Sequence, residues 1–398
     1  MKGISKHSAL VSVIFVVFLM FGLATLNPAH AENVIKVGTI EPVSGPISIV
    51  GITLQRGFEL AADAINADGG IPIKGKRYTI KLIQEDSKAN PEAAYSAALK
   101  LALRDKVDFI LGGIMESCIE VINKVCEKNN IFYGQGNANV PGSPQDISPD
   151  KKLQARFFPD YYATHPIDID YLKRAYPNVR TLAISAPDAQ YDAMIADLTK
   201  VAESKAIKVV STEKWQFGTV DFLPTFTRIM ASNPDAIWGM VSGQAQYELM
   251  AATQLGFKGP FISNAPLAGE VFLAVAGKEA CHDLIVNAVN TQKTNDMVKK
   301  VMAMWAKKYK DPFIADSLLS YDVLWVFSQV LEKSQSFKGA DVMATLETLT
   351  HTGDVQTING PGRFGGVERY GCNRVLIRPI ALSHFKGDKV VAAEFIQP

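Results

Sequence analysis

Small hydroxyl and amide residues follow three apolar runs of this sequence, at places where the strands of a parallel sheet would end. Ser44 follows the first run, Ser117 comes after a glycine pair that closes the second, and Asn137 and Asn139 follow the third. In a sheet covered by helices on both faces, such turns open on one crevice beyond the carboxyl ends of the strands. Free backbone amides at the starts of the next helices favour an anionic group there, such as a carboxylate. The pattern predicts a ligand site in that crevice. The structural alternatives are that Ser117 is a helix N-cap and Ser44 part of a plain turn.

The sequence patterns of common enzymes are missing. There is no Gly-x-Ser-x-Gly nucleophile turn and no phosphate-binding loop. The six histidines occupy positions 7, 30, 165, 282, 351 and 384, so none lies three or four residues from another on a helix face. We therefore expect no metal site, no cofactor and no catalysis. A secreted hydrolase is the enzyme alternative, but its nucleophile and base cannot be assembled from these residues.

The first 31 residues have the pattern of a secretory signal peptide. Lys2 and Lys6 precede an almost entirely apolar run over 9–26, and Ala29-His30-Ala31 supplies a small-x-small cleavage motif. We expect cleavage after Ala31 and a soluble protein in a Gram-negative periplasm. An N-terminal membrane anchor is the alternative, although the apolar run is close to the lower length limit for spanning a bilayer.

The remaining chain has an ordinary globular composition. Removing 31 of the 398 residues leaves 367, enough for two domains, with 39 basic and 40 acidic residues. Such a near-neutral balance gives no electrostatic reason to expect binding to nucleic acid or to an anionic membrane surface.

Apolar runs and amphipathic helices alternate along the chain. One strand–helix series covers 34–133 and a second covers 181–289, whereas 134–178 reads as loop and linker. Helices are predicted over 295–349 and a β-hairpin in the tail. Alternation of this kind predicts parallel sheets covered on both faces. The predicted fold class is α/β, with two doubly wound, Rossmann-like units.

Four cysteines are present, at positions 118, 126, 281 and 372. If Cys118 and Cys126 share one helix, their separation is about 12 Å, too far for a disulfide. Cys281 and Cys372 are then the candidate pair, and free buried thiols are the alternative.

Several motifs in order resemble a known family. They include Ile35-Lys36-Val37-Gly38 leading to Ser44-Gly45-Pro46, the run Ala64-Ile65-Asn66-Ala67-Asp68-Gly69-Gly70-Ile71, and Phe109-Ile110-Leu111-Gly112-Gly113. Across essentially the whole mature chain the sequence is similar to the periplasmic solute-binding proteins of ABC importers, of the branched-chain amino acid (leucine/isoleucine/valine-binding) type.

This resemblance implies a type I periplasmic binding protein, with two lobes joined by three chain crossings. The crossings would lie near 157–159, 288–290 and 354–358. The first lobe would comprise 32–158 plus 291–355, and the second 159–290 plus 356–398. On this map Cys281 and Cys372 fall in one lobe, which supports their pairing. The implied partners are a small solute and an inner-membrane ABC permease, with the protein itself a monomer.

The resemblance also implies ligand-binding residues. Ser117 or Cys118 would hold a ligand carboxylate, and Tyr191 would contact the ligand from the second lobe. The backbone and side chains that would share the carboxylate and the amine belong to Asn137, Ala138 and Asn139.

Three positions depart from the family pattern. One is the first-lobe aromatic near the pocket mouth, which is replaced around Ile49-Val50. Where the family has a glutamate for the ligand ammonium, this chain has Asn264-Ala265-Pro266, and a second-lobe tyrosine is replaced by Val241 or Ser242. Glu116 and Asp316 are the acids that would supply the charge instead. Because a buried ammonium without a carboxylate is costly, we expect a carboxylate-bearing ligand other than leucine, isoleucine or valine.

The function predicted from the sequence is therefore capture of a small amino acid-like or carboxylate-bearing organic solute for an ABC importer. A binding protein that senses a ligand for a membrane receptor is the alternative within the same class.

Overall fold

The computed structural model describes residues 33–45, 47–136, 146–158, 161–188, 191–216, 219–239, 244–264 and 268–398. The predicted signal peptide and its cleavage site lie outside these ranges. Two sheets, each covered by helices, make up the described chain. The predicted α/β class with two doubly wound units is confirmed.

The first sheet has nine strands in the order β12-β13-β14-β6-β5-β4-β1-β3-β2. Its central strands, from β6 to β3, pair in parallel, and β14 extends that parallel set beside β6. Strands buried on both faces, such as the wholly buried β4, explain the continuous apolar runs of the sequence. The strands are β1 Val34–Glu41, β2 Ile71–Ile73, β3 Lys76–Asp86, β4 Phe109–Gly112, β5 Phe132–Gln135, β6 Gln154–Arg156, β12 Val355–Thr357, β13 Gly360–Gly365 and β14 Val375–Ile377.

The second sheet has seven strands in the order β16-β15-β11-β10-β9-β7-β8. The strands from β8 through β7, β9 and β10 to β11 pair in parallel. The antiparallel hairpin β15–β16 pairs with β11 and completes one edge. The strands are β7 Thr181–Pro187, β8 Lys208–Trp215, β9 Ala236–Gly239, β10 Phe261–Ser263, β11 Leu284–Val286, β15 Ile380–Lys386 and β16 Lys389–Ile396.

Helices on the first sheet bury apolar stripes of the kind that the periodicity predicts. In the first of them, Leu54, Phe58, Ala61 and Ile65 face the core. Asn90 caps another by accepting a hydrogen bond from the Ala93 amide, with proline at the first helical position. These helices are Ser48–Ala67, Pro91–Leu99 with a π-helical continuation Lys100–Asp105, Glu116–Lys128, Asp296–Lys308, Ser317–Ser334, Gly339–Thr348 and Val367–Tyr370.

Within the described ranges, five helices and a short 3-10 turn belong to the second sheet. They are Tyr161–Ala175, Asp192–Ser204, Leu223–Ala231, Ala245–Gln254, Gly269–Ala280 and the turn Cys281–Asp283. Hereafter each sheet with its helices is called the first or second lobe. None of the helices within the described ranges is long and apolar enough to cross a bilayer.

The chain crosses between the lobes three times. It leaves the first sheet after Arg156, returns after Val286, and passes to the second sheet again between Ile377 and Ile380. At this third crossing Arg378 forms a buried ion pair with Asp322 of the helix Ser317–Ser334.

The expected position of the third crossing, 354–358, is wrong, and so is the assignment of 356–377 to the second lobe. Strands β12, β13 and β14 pair within the first sheet, with β14 beside β6. The edge of β6 is open to one more parallel strand, and β14 pairs there. The chain therefore crosses to the second lobe only after β14.

The interval 134–178, expected to be loop and linker, contains strand β6 and the helix Tyr161–Ala175. Pro166 lies inside this helix. This proline and the aspartates of the helix made the segment resemble a loop. The helix nevertheless forms because Ile167, Ile169 and Leu172 are buried in the core of the second lobe.

All four cysteines are free and buried, so the proposed Cys281–Cys372 disulfide is wrong. Cys281 lies in the core of the second lobe, whereas Cys372 packs with Val375 and Tyr370 in the first. The two thiols belong to different lobes because β14 joins the first sheet.

We therefore predict that the protein, purified without reductant and then denatured, reacts with four equivalents of a thiol reagent. A count of two would show that a disulfide forms after all. The same titration on the folded protein should be slow, because burial raises the pKa of all four thiols, that of Cys118 to about 11.

Candidate functional site

A glycine turn joins β4 to the helix Glu116–Lys128. Gly112 and Gly113 both have positive φ, of 97° and 89°. A Cβ atom at Gly112 would lie 2.6 Å from Oε1 of Glu41, and one at Gly113 would lie 2.7 Å from the hydroxyl of Tyr133. Only glycine fits such a close approach at these backbone angles. The turn therefore directs the start of the helix away from the sheet.

Ser117 is exposed in the first turn of this helix. The N-cap position is Met115, which makes no side-chain capping hydrogen bond. The alternative that Ser117 is a helix cap is therefore wrong. The first amides of a helix lack intrahelical acceptors and carry a partial positive charge. An exposed hydroxyl beside them suits an anionic ligand.

Glu41, at the end of β1, is hydrogen-bonded to the glycine turn. Its Oε1 accepts a hydrogen bond of 3.2 Å from the Gly113 amide, while its Oε2 has no partner among the described residues. Burial raises the pKa of Glu41 to about 8, which the Gly113 bond only partly offsets. Glu41 is consequently neutral at pH 7. Sequence reasoning missed it, although an acid at the end of a mostly apolar strand was a visible signal.

Ser44 has a structural role in the loop after β1. Its hydroxyl donates to Oδ2 of Asp86 at 2.5 Å, and the Val43 amide donates to Oδ1 at 3.0 Å. Burial opposes the charge of Asp86, but these bonds and one from the Lys88 amide outweigh it and lower the pKa. Ser44 thus fixes the loop to the end of β3, and its hydroxyl proton is donated to Asp86.

Glu116 and Tyr191 belong to different lobes and are linked electrostatically. Burial raises the pKa of Glu116. Burial, and then the negative charge of Glu116, raise the pKa of Tyr191, so the two side chains are electrostatic neighbours. Tyr191 is only 3% exposed and packs in the core of the second lobe just before the helix Asp192–Ser204. Cys118, the next residue after Ser117, is buried in the core of the first lobe.

A cavity of about 50 Å³, hereafter the hinge cavity, lies where the three crossings meet. Asn264 and Asp316 both line it, together with Phe158, Val289 and Pro379 from the crossings. The Asn264 amide donates to the Thr164 hydroxyl, whereas its Oδ1 has no partner among the described residues. Asp316 Oδ1 accepts from the Ala268 amide of the other lobe at 3.3 Å. The structure thus brings these two predicted residues together.

Asp168 anchors the second lobe beside the hinge cavity. The indole of Trp238 donates to its Oδ2 at 3.0 Å and the amide of Asn287 donates to its Oδ1 at 2.8 Å. Burial raises the pKa of Asp168 to about 6, against these bonds. Asp168 was also missed by sequence reasoning. The one signal for it was an acid flanked by Ile167 and Ile169.

The predicted residues therefore fall into two groups. Ser117, Cys118, Glu116 and Tyr191 lie near the glycine turn, and Asn264 and Asp316 line the hinge cavity. Ser44 belongs to neither group, because its hydroxyl is bound to Asp86. Asn137, Ala138, Asn139 and Ser242 lie outside the described residues. Within the described ranges no three histidine, cysteine or acidic side chains are grouped as metal ligands.

Residues 34–389 match the protein family described as periplasmic binding protein. The Leu/Ile/Val-binding protein BraC3 of Rhizobium johnstonii is 24% identical over 386 residues, covering 94% of this chain and 98% of that protein. The leucine-, isoleucine-, valine-, threonine- and alanine-binding protein of Pseudomonas aeruginosa is 22% identical over 334 residues, covering 83% and 86%.

Solved structures show the same fold. The branched-chain amino acid transporter substrate binding protein LivJ from Streptococcus pneumoniae, in complex with isoleucine, has a TM-score of 0.72 at 19% identity, covering 92% of this chain and 100% of that one. A solute binding protein of an ABC transporter from R. palustris, in complex with 4-hydroxybenzoate, has a TM-score of 0.73 at 19% identity, covering 92% and 98%.

Glu41 gives a testable pH dependence of stability. Its pKa is raised from 4.5 to about 8, so the folded chain keeps a proton that the unfolded chain releases across this window. The free energy of unfolding should therefore fall as the pH rises from 4.5 to 8 and then level off. Glu41→Gln, which keeps the acceptor and cannot ionise, should gain on the order of 2–4 kcal/mol relative to the wild type between pH 5 and pH 9.

Denaturant unfolding at the two pH values measures this difference. The exposed Glu368→Gln is the matched control and should change stability equally at both. An equal effect of Glu41→Gln at pH 5 and pH 9 would show that Glu41 is ionised in the folded protein.

Proposed function

The chain belongs to the periplasmic binding protein family, and on this premise we propose that it captures a small carboxylate-bearing solute between its two lobes. The capture takes place in the periplasm, after removal of the signal peptide. The loaded protein, a monomer without catalytic activity, then delivers the solute to an inner-membrane ABC permease.

The glycine turn and the helix start at Ser117 carry this proposal. They present an exposed hydroxyl and the positive end of a helix of 13 residues at the carboxyl end of the first sheet. Glu116 and Tyr191 lie close by, on opposite lobes. A carboxylate bound here would further favour the protonated form of Glu116, which would then donate a hydrogen bond to it. A solute at this point contacts both lobes and favours their closure.

The named ligands of similar structures support a carboxylate rather than one particular side chain. Isoleucine in the LivJ complex and 4-hydroxybenzoate in the R. palustris complex differ in most respects, but each carries a carboxylate. In this chain Asn264 stands where an acid would pair an α-ammonium group. The carboxylate is therefore the part of the solute that we assign to the Ser117 turn.

Closure is tested by small-angle X-ray scattering. A melting-temperature screen of small carboxylates, including leucine and 4-hydroxybenzoate, first identifies a compound that stabilises the protein. The radius of gyration should then fall when that compound saturates the protein, because the lobes rotate together about the crossings. An unchanged radius at saturation would contradict capture between moving lobes.

Ser117→Ala tests the carboxylate end of the site. Loss of a hydrogen bond to a charged group costs about 1.5–3 kcal/mol, which weakens binding roughly ten- to a hundredfold. Calorimetry with the stabilising carboxylate measures this loss, and the ligand-free melting temperature should stay the same because the hydroxyl is exposed.

The control is Glu120→Gln, one turn further along the same helix, which should leave the affinity unchanged. If Ser117→Ala binds the carboxylate as tightly as the wild type does, the helix start does not hold it.

A further inference from the structure

Glu41 is a buried acid at the point where the first sheet meets the glycine turn. It ends β1 and is only 3% exposed. Its Oε1 accepts a hydrogen bond from the Gly113 amide, and its Oε2 has no partner among the described residues. Burial and this one hydrogen bond are the influences on its pKa, and neither is a cation. A buried carboxyl group with so little compensation is favoured in its neutral, protonated form.

The groups that face Glu41 from two other elements are uncharged. Cys118 comes from the helix Glu116–Lys128 and Tyr133 from β5, and both are electrostatic neighbours of Glu41. Burial raises the pKa of the Cys118 thiol to about 11 and raises that of the Tyr133 phenol well above its usual value. Neither group carries a charge near pH 8, so neither changes the protonation of Glu41 there.

The helix Ser48–Ala67 and strand β3 complete the surroundings of Glu41. The helix contributes Phe58, and a Cβ atom on the first glycine of the turn would lie 3.4 Å from its ring. Strand β3 contributes Asp86, the register partner of Glu41. The Asp86 carboxylate is bound by the Ser44 hydroxyl and by backbone amides, and it is not among the influences on the pKa of Glu41. Within the described ranges no cationic side chain pairs with Glu41.

The hydrogen bond to Gly113 connects Glu41 to the start of the helix that carries Ser117. Gly113 precedes Ser117 by four residues. The glycine turn orients the first amides of this helix, and their partial positive charge suits an anion. A negative charge on Glu41 would lie on the sheet side of the turn and oppose that positive end. The charge of Glu41 therefore affects how strongly the helix start holds an anion.

We propose that anion binding at the Ser117 turn is coupled to the proton of Glu41, so that the site binds a carboxylate more tightly while Glu41 is neutral. This inference rests on the proposed function, in which the carboxylate of the solute lies at this turn. The coupling is reciprocal, because a bound anion makes the proton of Glu41 harder to remove by the same factor. The O–H bond of Glu41 is the one bond that breaks, and its proton passes to the solvent.

The coupling makes carboxylate binding depend on pH in one direction. Burial raises the pKa of Glu41 to about 8, and the Gly113 hydrogen bond only partly offsets this. Below pH 7 Glu41 keeps its proton, and the affinity for a carboxylate stays at its higher value. Above pH 9 Glu41 is ionised, and the affinity should be lower by roughly tenfold, the factor that corresponds to one pKa unit. Burial also raises the pKa of Glu116, beside Ser117, so the Glu41 carboxyl itself must be observed.

A fixed negative charge at position 117 tests the coupling without any solute. Ser117→Asp places a carboxylate at the helix start, and Ser117→Asn is the matched neutral control. ¹³C NMR of the full mature protein, labelled at the side-chain carboxyl carbon of glutamate, follows Glu41 from pH 5 to pH 10, and Glu41→Gln identifies its signal. We expect the pKa of Glu41 to be higher by about one unit in Ser117→Asp than in Ser117→Asn, because a nearby like charge disfavours ionisation.

An equal pKa of Glu41 in the two variants would overturn the coupling. So would a wild-type signal of Glu41 that does not titrate from pH 5 to pH 10, because one charge state would then persist throughout. The signal of the exposed Glu368 should be the same in both variants, which excludes a general effect of the added charge. The measurement relies on a charge built into the chain, so its failure leaves the capture of a solute to be tested separately by Ser117→Ala.

Discussion

The buried ion pair between Arg378 and Asp322 is the interaction on which the arrangement of the two lobes depends. Arg378 is one of two residues between the last strand of the first sheet and the next strand of the second. Its partner also accepts a hydrogen bond of 2.7 Å from the Ile358 amide, so one carboxylate fixes both the crossing and the turn before β13. Removing one partner of such a pair leaves an uncompensated buried charge, at a cost of about 3–5 kcal/mol. The third crossing is therefore tightly fixed to the helix Ser317–Ser334 of the first lobe.

Both lobes contain a buried glutamate in its neutral form. In each lobe this glutamate lies beside a glycine at the end of a strand. In the first lobe it is Glu41, next to Gly112. In the second it is Glu248, whose Oε1 accepts from the Ser185 hydroxyl at 2.5 Å, and burial raises its pKa to about 8. A neutral carboxyl can support a turn without placing negative charge beneath it. Such support is compatible with an anionic ligand above the turn, whereas an ionised glutamate would repel it.

Asn264 and Asp316 line the hinge cavity from opposite lobes. Asn264 directly follows β10 and donates a hydrogen bond to the Thr164 hydroxyl of the same lobe. The acid at the boundary is instead Asp316, which comes from the opposite lobe. Asp316 lines the hinge cavity beside residues of the crossings.

The sequence alone determined the alternation of strands and helices, because buried parallel strands and amphipathic helices each have a short-range apolar pattern. It identified the helix start at Asn90 and Pro91, the glycine turn before Ser117, and Asn264 and Asp316 as residues of interest. It did not determine that Val355–Thr357 and Val375–Ile377 join the first sheet, nor that Cys281 and Cys372 are apart. Short strands have little pattern of their own, and their partners depend on which sheet edge is open in the folded chain. The neutral state of Glu41 and the meeting of Asn264 with Asp316 were likewise decided by tertiary structure. Burial determines the protonation of Glu41, and the packing of the two lobes across the hinge brings Asn264 and Asp316 to one cavity. Neither effect is encoded in local sequence spacing.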